Sequence, residues 1–128
     1  MDADETIRQY AEAWGRGEPD AAFEFYADDV VMRLPGRGSL AGVHEGKPAV
    51  IAAIRALLAR TDGIPVTVEV IDRLVSATSV AMQLREVATR EDETLDLRRV
   101  NVYRVRDGKI VDIDIYEAHQ YDVDEFFG

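Results

Sequence analysis

One hundred and twenty-eight residues, 47% hydrophobic and 31% charged, describe one domain with its own core, and exclude a disordered tail, a membrane span or a disulfide scaffold. A net charge of -10, from 25 acidic against 15 basic side chains with no Lys or Arg beyond Lys109, opposes phosphate backbones and anionic lipid surfaces, so neither nucleic acid nor membrane is an expected partner. The absence of cysteine removes thiolate nucleophiles and thiolate metal sites.

Met1 is followed by Asp2, Asp4 and Glu5, without a basic n-region or an apolar h-region, which predicts neither a signal peptide nor a transmembrane helix and a cytoplasmic location. Ile7, Tyr10, Ala11 and Trp14 have the spacing of a helix with one buried stripe, capped by Asp2 or Asp4 and ended by Gly15 and Gly17. Pro19 and Asp20 open a short second helix carrying Ala22, Phe23 and Tyr26, and Asp28 and Asp29 stop it. Val30 to Leu34 reads as a strand, followed by a loop from Pro35 to Ser39 and a further loop segment holding His44. From Pro48, Val50, Ile51, Ile54, Leu57 and Leu58 predict a third amphipathic helix ended by Asp62 and Gly63.

The period then changes, and alternating apolar runs at 65 to 75, 80 to 90, 95 to 106 and 109 to 117 predict four strands. Asp107-Gly108 between the last two is a type I′ hairpin signal. The acidic run from Asp112 to Glu125 reads as a solvated face and tail, with His119 solvated or packed on a partner. Helices followed by strands suggest an α+β domain, an antiparallel sheet with helices on one face.

On the last strand Val111, Ile113 and Ile115 share one face, and Glu117 continues that parity. Either a carboxylate ends an apolar wall, where burial raises its pKa and suits it to proton transfer, or the strand frays first and Glu117 is solvated. Val80, Met82, Leu84 and Glu86 repeat the pattern on the 80 to 90 strand, and Glu86 is either a second cavity carboxylate or a rim residue paired with a neighbouring Arg. Leu97, Arg99, Asn101, Tyr103 and Val105 share a face of the 95 to 106 strand, whose direction periodicity leaves open.

His44 is an acid/base candidate near neutral pH or a hydrogen-bonded loop residue. The two histidines lack the spacing of a metal site. No glycine-rich dinucleotide motif, phosphate loop or serine elbow occurs, so no cofactor is expected. Trp14, Tyr26, Phe23 and Met32 are either cavity lining or plain core, and Arg33 either reaches an anionic substrate group or faces solvent.

The element order, with Tyr10-Ala-Glu-Ala-Trp14, Tyr26-Ala-Asp-Asp29, Leu40-Ala-Gly-Val-His-Glu-Gly46 and Tyr103-Arg-Val-Arg-Asp-Gly-Lys-Ile110, resembles the nuclear transport factor 2-like superfamily. Within it the chain looks like the SnoaL-like and ketosteroid isomerase-like branch, over residues 1–128 as a single domain. The resemblance implies a curved antiparallel sheet wrapped as a cone around the three helices, an apolar cavity at one end and a homodimer through the outer sheet face. It implies that the face carrying Arg99, Asn101 and Tyr103 looks inward. Asn101 and Tyr10 match the isomerase's oxyanion-hole positions, while Leu34 stands where that enzyme has its general base. Proton abstraction would then pass to Glu86, Glu117 or His44. Glu86 also falls near the acidic residue of the limonene epoxide hydrolase arrangement, but Leu84 stands where that family has its arginine, so the full hydrolase set is absent.

The expectation is a cofactor-independent acid/base enzyme of isomerase, cyclase or hydrolase type acting on a small apolar carbonyl or epoxide compound. Glu117 or Glu86 would move the proton and Asn101 and Tyr10 would meet oxygen charge, with His44 as a further acid/base candidate. Trp14, Tyr26, Met82, Leu84, Arg99, Tyr103 and Ile113 would line the cavity. The alternative is a non-catalytic ligand-binding or protein-interaction domain, and a third reading is a small scaffold protein whose cone is filled by its own side chains.

Overall fold

The computed structural model describes residues 1–127. Helix α1 (Ala3–Gly15) starts where Asp2 Oδ1 accepts from the Glu5 backbone N–H at 2.8 Å, satisfying one of the free donors of the first turn. It buries Ala3, Thr6, Ile7, Tyr10 and Ala13, leaving Ala11 and Trp14 only half-buried. Helix α2 (Pro19–Phe23) is shorter than its sequence suggests. Tyr26 instead opens strand β1 (Tyr26–Leu34), with its ring 1% exposed in the core and Ile110 as its ladder partner. Tertiary packing thus overrides the helical spacing, and Asp28 and Asp29 become exposed strand residues rather than a helix stop.

The segment holding His44 is also a strand, β2 (Gly42–Glu45), pairing antiparallel with β1 so that His44 faces Met32. Four edge residues are too few to show a period of two. Helix α3 (Lys47–Arg60), with Pro48 in its first turn, buries Val50, Ala53 and Ile54 and leaves Leu58 exposed. The four expected strands follow as β3 (Val66–Val75), β4 (Ser79–Arg90), β5 (Glu93–Arg106) and β6 (Lys109–Glu117). Asp107 and Gly108 both have positive φ, 52° and 72°, as a type I′ turn requires.

The six strands form one curved sheet in the order β2-β1-β6-β5-β4-β3, the α+β cone expected from the resemblance. Its junctions are antiparallel except β1–β6, which is parallel. The concave face carries Val80, Met82, Leu84, Tyr103, Val105 and Ile113 against Ile7, Tyr10 and Ala13 of α1 and Val50 of α3.

The chain then folds back as helix α4 (Gln120–Phe127), which the reading of a solvated acidic tail did not anticipate. Phe126, 6% exposed, anchors α4 in a second cluster with Ala88, Leu95 and Leu97. Burying that ring offsets the cost of ordering an acidic segment. Asp112 is likewise not solvated. It lies on the outer sheet face between Arg33, whose Nη1 is 3.0 Å from Asp112 Oδ1, and Arg104, whose Nη2 donates to the other carboxylate oxygen. Arg33 also reaches Asp114 Oδ1 at 3.1 Å, so it points away from the concave face and is engaged by acids. His119 remains substantially exposed, 3.9 Å from Asp122. Among the described residues no helix is long and apolar enough to cross a membrane.

Candidate functional site

The register of three neighbouring strands brings the chemistry together. Arg99 on β5 lies directly opposite Glu117 on β6, and Leu84 on β4 is its partner on the other side. Glu86 lies opposite Leu97, which places it diagonally from Arg99, within reach of a long side chain. The guanidinium uses that reach: Nε donates to Glu117 Oε1 and Nη2 donates to Glu86 Oε2 at 2.9 Å. All three face the concave side, as the alternation on β4, β5 and β6 requires.

These side chains are well covered, with 6% of Glu117, 13% of Glu86 and 20% of Arg99 exposed. Burial pushes the Glu117 carboxyl above its ordinary range, with Arg99 opposing the shift by charge and hydrogen bond. Its second oxygen, Oε2, is buried and accepts no hydrogen bond. One carboxylate oxygen is therefore held by a cation and, among the described residues, the other has no hydrogen-bond donor.

A cavity of about 160 Å³ adjoins this cluster. Its apolar wall includes Leu34 of β1, Leu40 and Ala41 of the following loop, Leu57 of α3, Ile115 of β6 and Val123 of α4. Arg60 and Thr61 close the α3 side, while Gln120 and Asp124 of α4 close the other. Gln120 Nε2 donates to Asp124 Oδ1 at 2.9 Å.

Of the candidates read from the sequence, Glu86, Arg99 and Glu117 line this cavity. The others lie elsewhere. Tyr10, Tyr26, Met82, Leu84, Tyr103 and Ile113 belong to the main core, with Trp14 packed against it. The Tyr10 ring centroid is 5.4 Å from that of Tyr103, 5.7 Å from that of Tyr26 and 6.2 Å from that of Trp14, so aromatic rings fill the part of the cone where an open cavity was expected.

The two proposed oxyanion donors are engaged within that core. Tyr10 and Tyr26 share a hydrogen bond of 2.7 Å between their hydroxyls, and Asn101 Nδ2 donates to the Tyr103 hydroxyl at 3.1 Å. Burial raises the phenol pKa of Tyr10, Tyr26 and Tyr103, which keeps all three protonated. His44, half-buried on β2, directs Nε2 to the Leu40 carbonyl at 2.7 Å and does not line the cavity. Among the described residues no group of three His, Asp or Glu side chains is placed to hold a metal ion.

Leu84 on β4 supplies no arginine, and the cation that pairs the two acids is Arg99 of β5, which bridges Glu86 of β4 and Glu117 of β6. A one-strand motif cannot reveal a cluster assembled across three. The α4 wall was also missed, although Val123 and Phe126 stand three apart with Asp122 in the first turn, a weak helix signal.

Residues 7–113 match the SnoaL-like domain family. An uncharacterized protein of Mycobacterium tuberculosis is 30% identical over 129 residues, covering 98% of this chain and 97% of the relative. The solved structure of Bal32a, from a soil-derived mobile gene cassette, superposes with a TM-score of 0.85 at 25% identity, over 98% of this chain and 95% of that one. A nuclear transport factor 2-like protein from Burkholderia xenovorans shares the fold with a TM-score of 0.72 at 19% identity, over 97% and 94% of the two chains.

Proposed function

The chain belongs to the SnoaL-like domain family of the nuclear transport factor 2-like superfamily, and from that premise we propose that it is a cofactor-independent acid/base enzyme acting on a small, mostly apolar carbonyl or epoxide compound. The observation that carries this reading is the pair of oxygens on Glu117: Oε1 held by Arg99, and Oε2 buried beside an apolar cavity with no partner.

With a carbonyl compound bound, Glu117 Oε2 takes a proton from the carbon next to the carbonyl, the C–H electron pair forms a carbon–carbon double bond, and the C=O π pair moves to oxygen to give an enolate. Return of the proton to another carbon completes an isomerisation. Arg99 has guanidinium N–H groups beyond those given to Glu117 and Glu86, and a largely covered cation is suited to meeting developing oxygen charge. It takes over the role first assigned to Asn101 and Tyr10. Glu86 holds Arg99 from the opposite side, which makes it a positioning residue. With an epoxide, the same free oxygen would draw a proton from a water attacking a ring carbon; that ring C–O bond breaks, and the alkoxide formed takes the proton back from Glu117.

Incubation in heavy water with a panel of small enones and cyclic ketones, followed by mass spectrometry, tests this reading. Deuterium uptake above the protein-free control and lost in Glu117→Gln is the expected result; uptake that persists in that variant would overturn it. Water addition is followed separately with small epoxides.

A second reading, a non-catalytic binding module, is favoured by one observation: Arg99 engages both carboxylates and ties the three side chains into a closed ion-pair unit. Compounds that raise the melting temperature without exchange or turnover would select it. In either case a cytoplasmic homodimer paired through the outer sheet face is part of the proposal. Exposed Leu74 and Tyr116 support that surface, and sedimentation at micromolar concentration tests it.

A further inference from the structure

Among the described residues, two hydrogen-bond acceptors of side chains that line the cavity have no partner. Glu117 Oε2 is one, and Gln120 Oε1, also buried, is the other. The orientation of the Gln120 amide is set by its neighbour. A carboxylate only accepts, so the contact of 2.9 Å with Asp124 Oδ1 requires the NH2 group on that side and leaves the carbonyl oxygen unpaired.

The loop facing α4 is shaped to admit this pair. Gly36 sits at φ +99°, and a Cβ there would lie 2.3 Å from Gln120 Nε2 and 2.7 Å from Asp124 Oδ1. Glycine thus answers both the left-handed backbone and the close approach of the amide. A buried acceptor without a donor is destabilising, and an amide oxygen left so on a residue that lines an apolar cavity points to a ligand that supplies the donor.

We propose that the ligand of this cavity carries an O–H or N–H donor, as an alcohol or primary amide does, that Gln120 Oε1 accepts it while Glu117 Oε2 stays available for the reacting proton, and that Gln120 is the residue selecting such ligands. The inference rests on the reading of this cavity as the reaction site and narrows its substrate to a hydroxylated or amide-bearing compound. Asp124 acts through Gln120 and is a positioning residue. Without it the amide is free to turn and present its NH2 to the ligand, so the selectivity moves toward ligands that only accept.

The probes are benzyl alcohol and benzyl methyl ether, similar in apolar body, of which only the alcohol donates. Affinities are measured by ligand-observed NMR titration of the full chain. The alcohol is expected to bind about three- to tenfold more tightly, the range of one net hydrogen bond. Gln120→Met, close in volume and without an acceptor of comparable strength, should bring that ratio near one. Asp124→Ala should lower it while leaving the Gln120 side chain in place.

Equal affinities in the unmodified protein would overturn the proposal, as would a preference that survives Gln120→Met. Saturation by neither probe below about 10 mM, weak even for ligands of this size, would also overturn it. The comparison in the unmodified protein decides even if a variant fails to fold. Alcohol preference without deuterium exchange or epoxide opening would sink the catalytic reading and leave this one standing; exchange without alcohol preference would do the reverse.

Discussion

Arg99 and Glu117 face each other across the β5–β6 ladder, and the same guanidinium crosses to Glu86 on β4. One cation therefore compensates two covered carboxylates, and the three groups act as a unit. Replacing Arg99 by Met keeps the stem and removes the charge. The expected cost is about 3 kcal/mol, the range for leaving a buried charge unpaired. Urea denaturation checks it, and a loss below about 1 kcal/mol would assign the cluster to the solvated class.

The raised Glu117 carboxyl makes stability depend on pH with a definite sign. The folded state holds that proton more tightly than the unfolded chain does, so the contribution is complete below the ordinary glutamate range and is lost as pH rises through the raised value. The stability of the unmodified protein relative to Glu117→Gln should therefore fall across that window. Base catalysis runs oppositely, since Glu117 must be ionised to accept a proton, and kcat/KM should climb as stability declines. Denaturation and rate profiles on the same protein test both halves.

Tyr10→Phe deletes one partner of a buried hydroxyl pair and leaves the Tyr26 hydroxyl without its 2.7 Å contact. A loss of about 1 to 2 kcal/mol is expected, with a similar loss for Tyr26→Phe. Because the residues share one bond, the double variant should lose less than the sum. Thermal denaturation of the three variants completes the cycle. Strict additivity would show that the two hydroxyls do not interact.

Phe126→Ala removes the ring that anchors α4 beside Ala88, Leu95 and Leu97. The expected loss is about 3 kcal/mol at most sites of this kind. Hydrogen exchange of the amides in 120–127 should quicken far more than exchange in β4 and β5. Gly36→Ala, which forces a side chain toward Gln120 and Asp124 at a left-handed backbone position, should loosen the same amides. Unchanged protection in both variants would mean that α4 is held by something other than these two contacts.

The strands carrying the site were legible because a period of two is a local property: the shared parity of Val80, Met82, Leu84 and Glu86, or of Ile113, Ile115 and Glu117, needs no tertiary information. Their pairing is not local. Which arginine meets which carboxylate depends on the register between strands, and Arg99 was read as lining rather than as the link between two acids. Tyr26 shows the opposite failure, a helical spacing overridden by a place in the core. The expected cavity at Tyr10 and Trp14 was misplaced because aromatic rings at helical spacing describe a packed core and a ligand wall equally well. The position of α4 depended on one ring finding a distant cluster, and acidic composition outweighed that signal.

The single parallel junction sets the order in which this molecule can assemble. The strands β3 to β6 are joined by short turns and can pair as successive hairpins, whereas β1 meets β6 only when residues 81 positions apart, such as Arg33 and Asp114, come together. Long-range closure of that kind is slow relative to hairpin formation. Because Leu34 on β1 and Ile115 and Glu117 on β6 stand on either side of that seam, the ligand chamber comes into being with the last zipping step rather than the first. A ligand held there acts as a clasp across the two halves of the chain, and its footprint in kinetics falls on unfolding far more than on refolding.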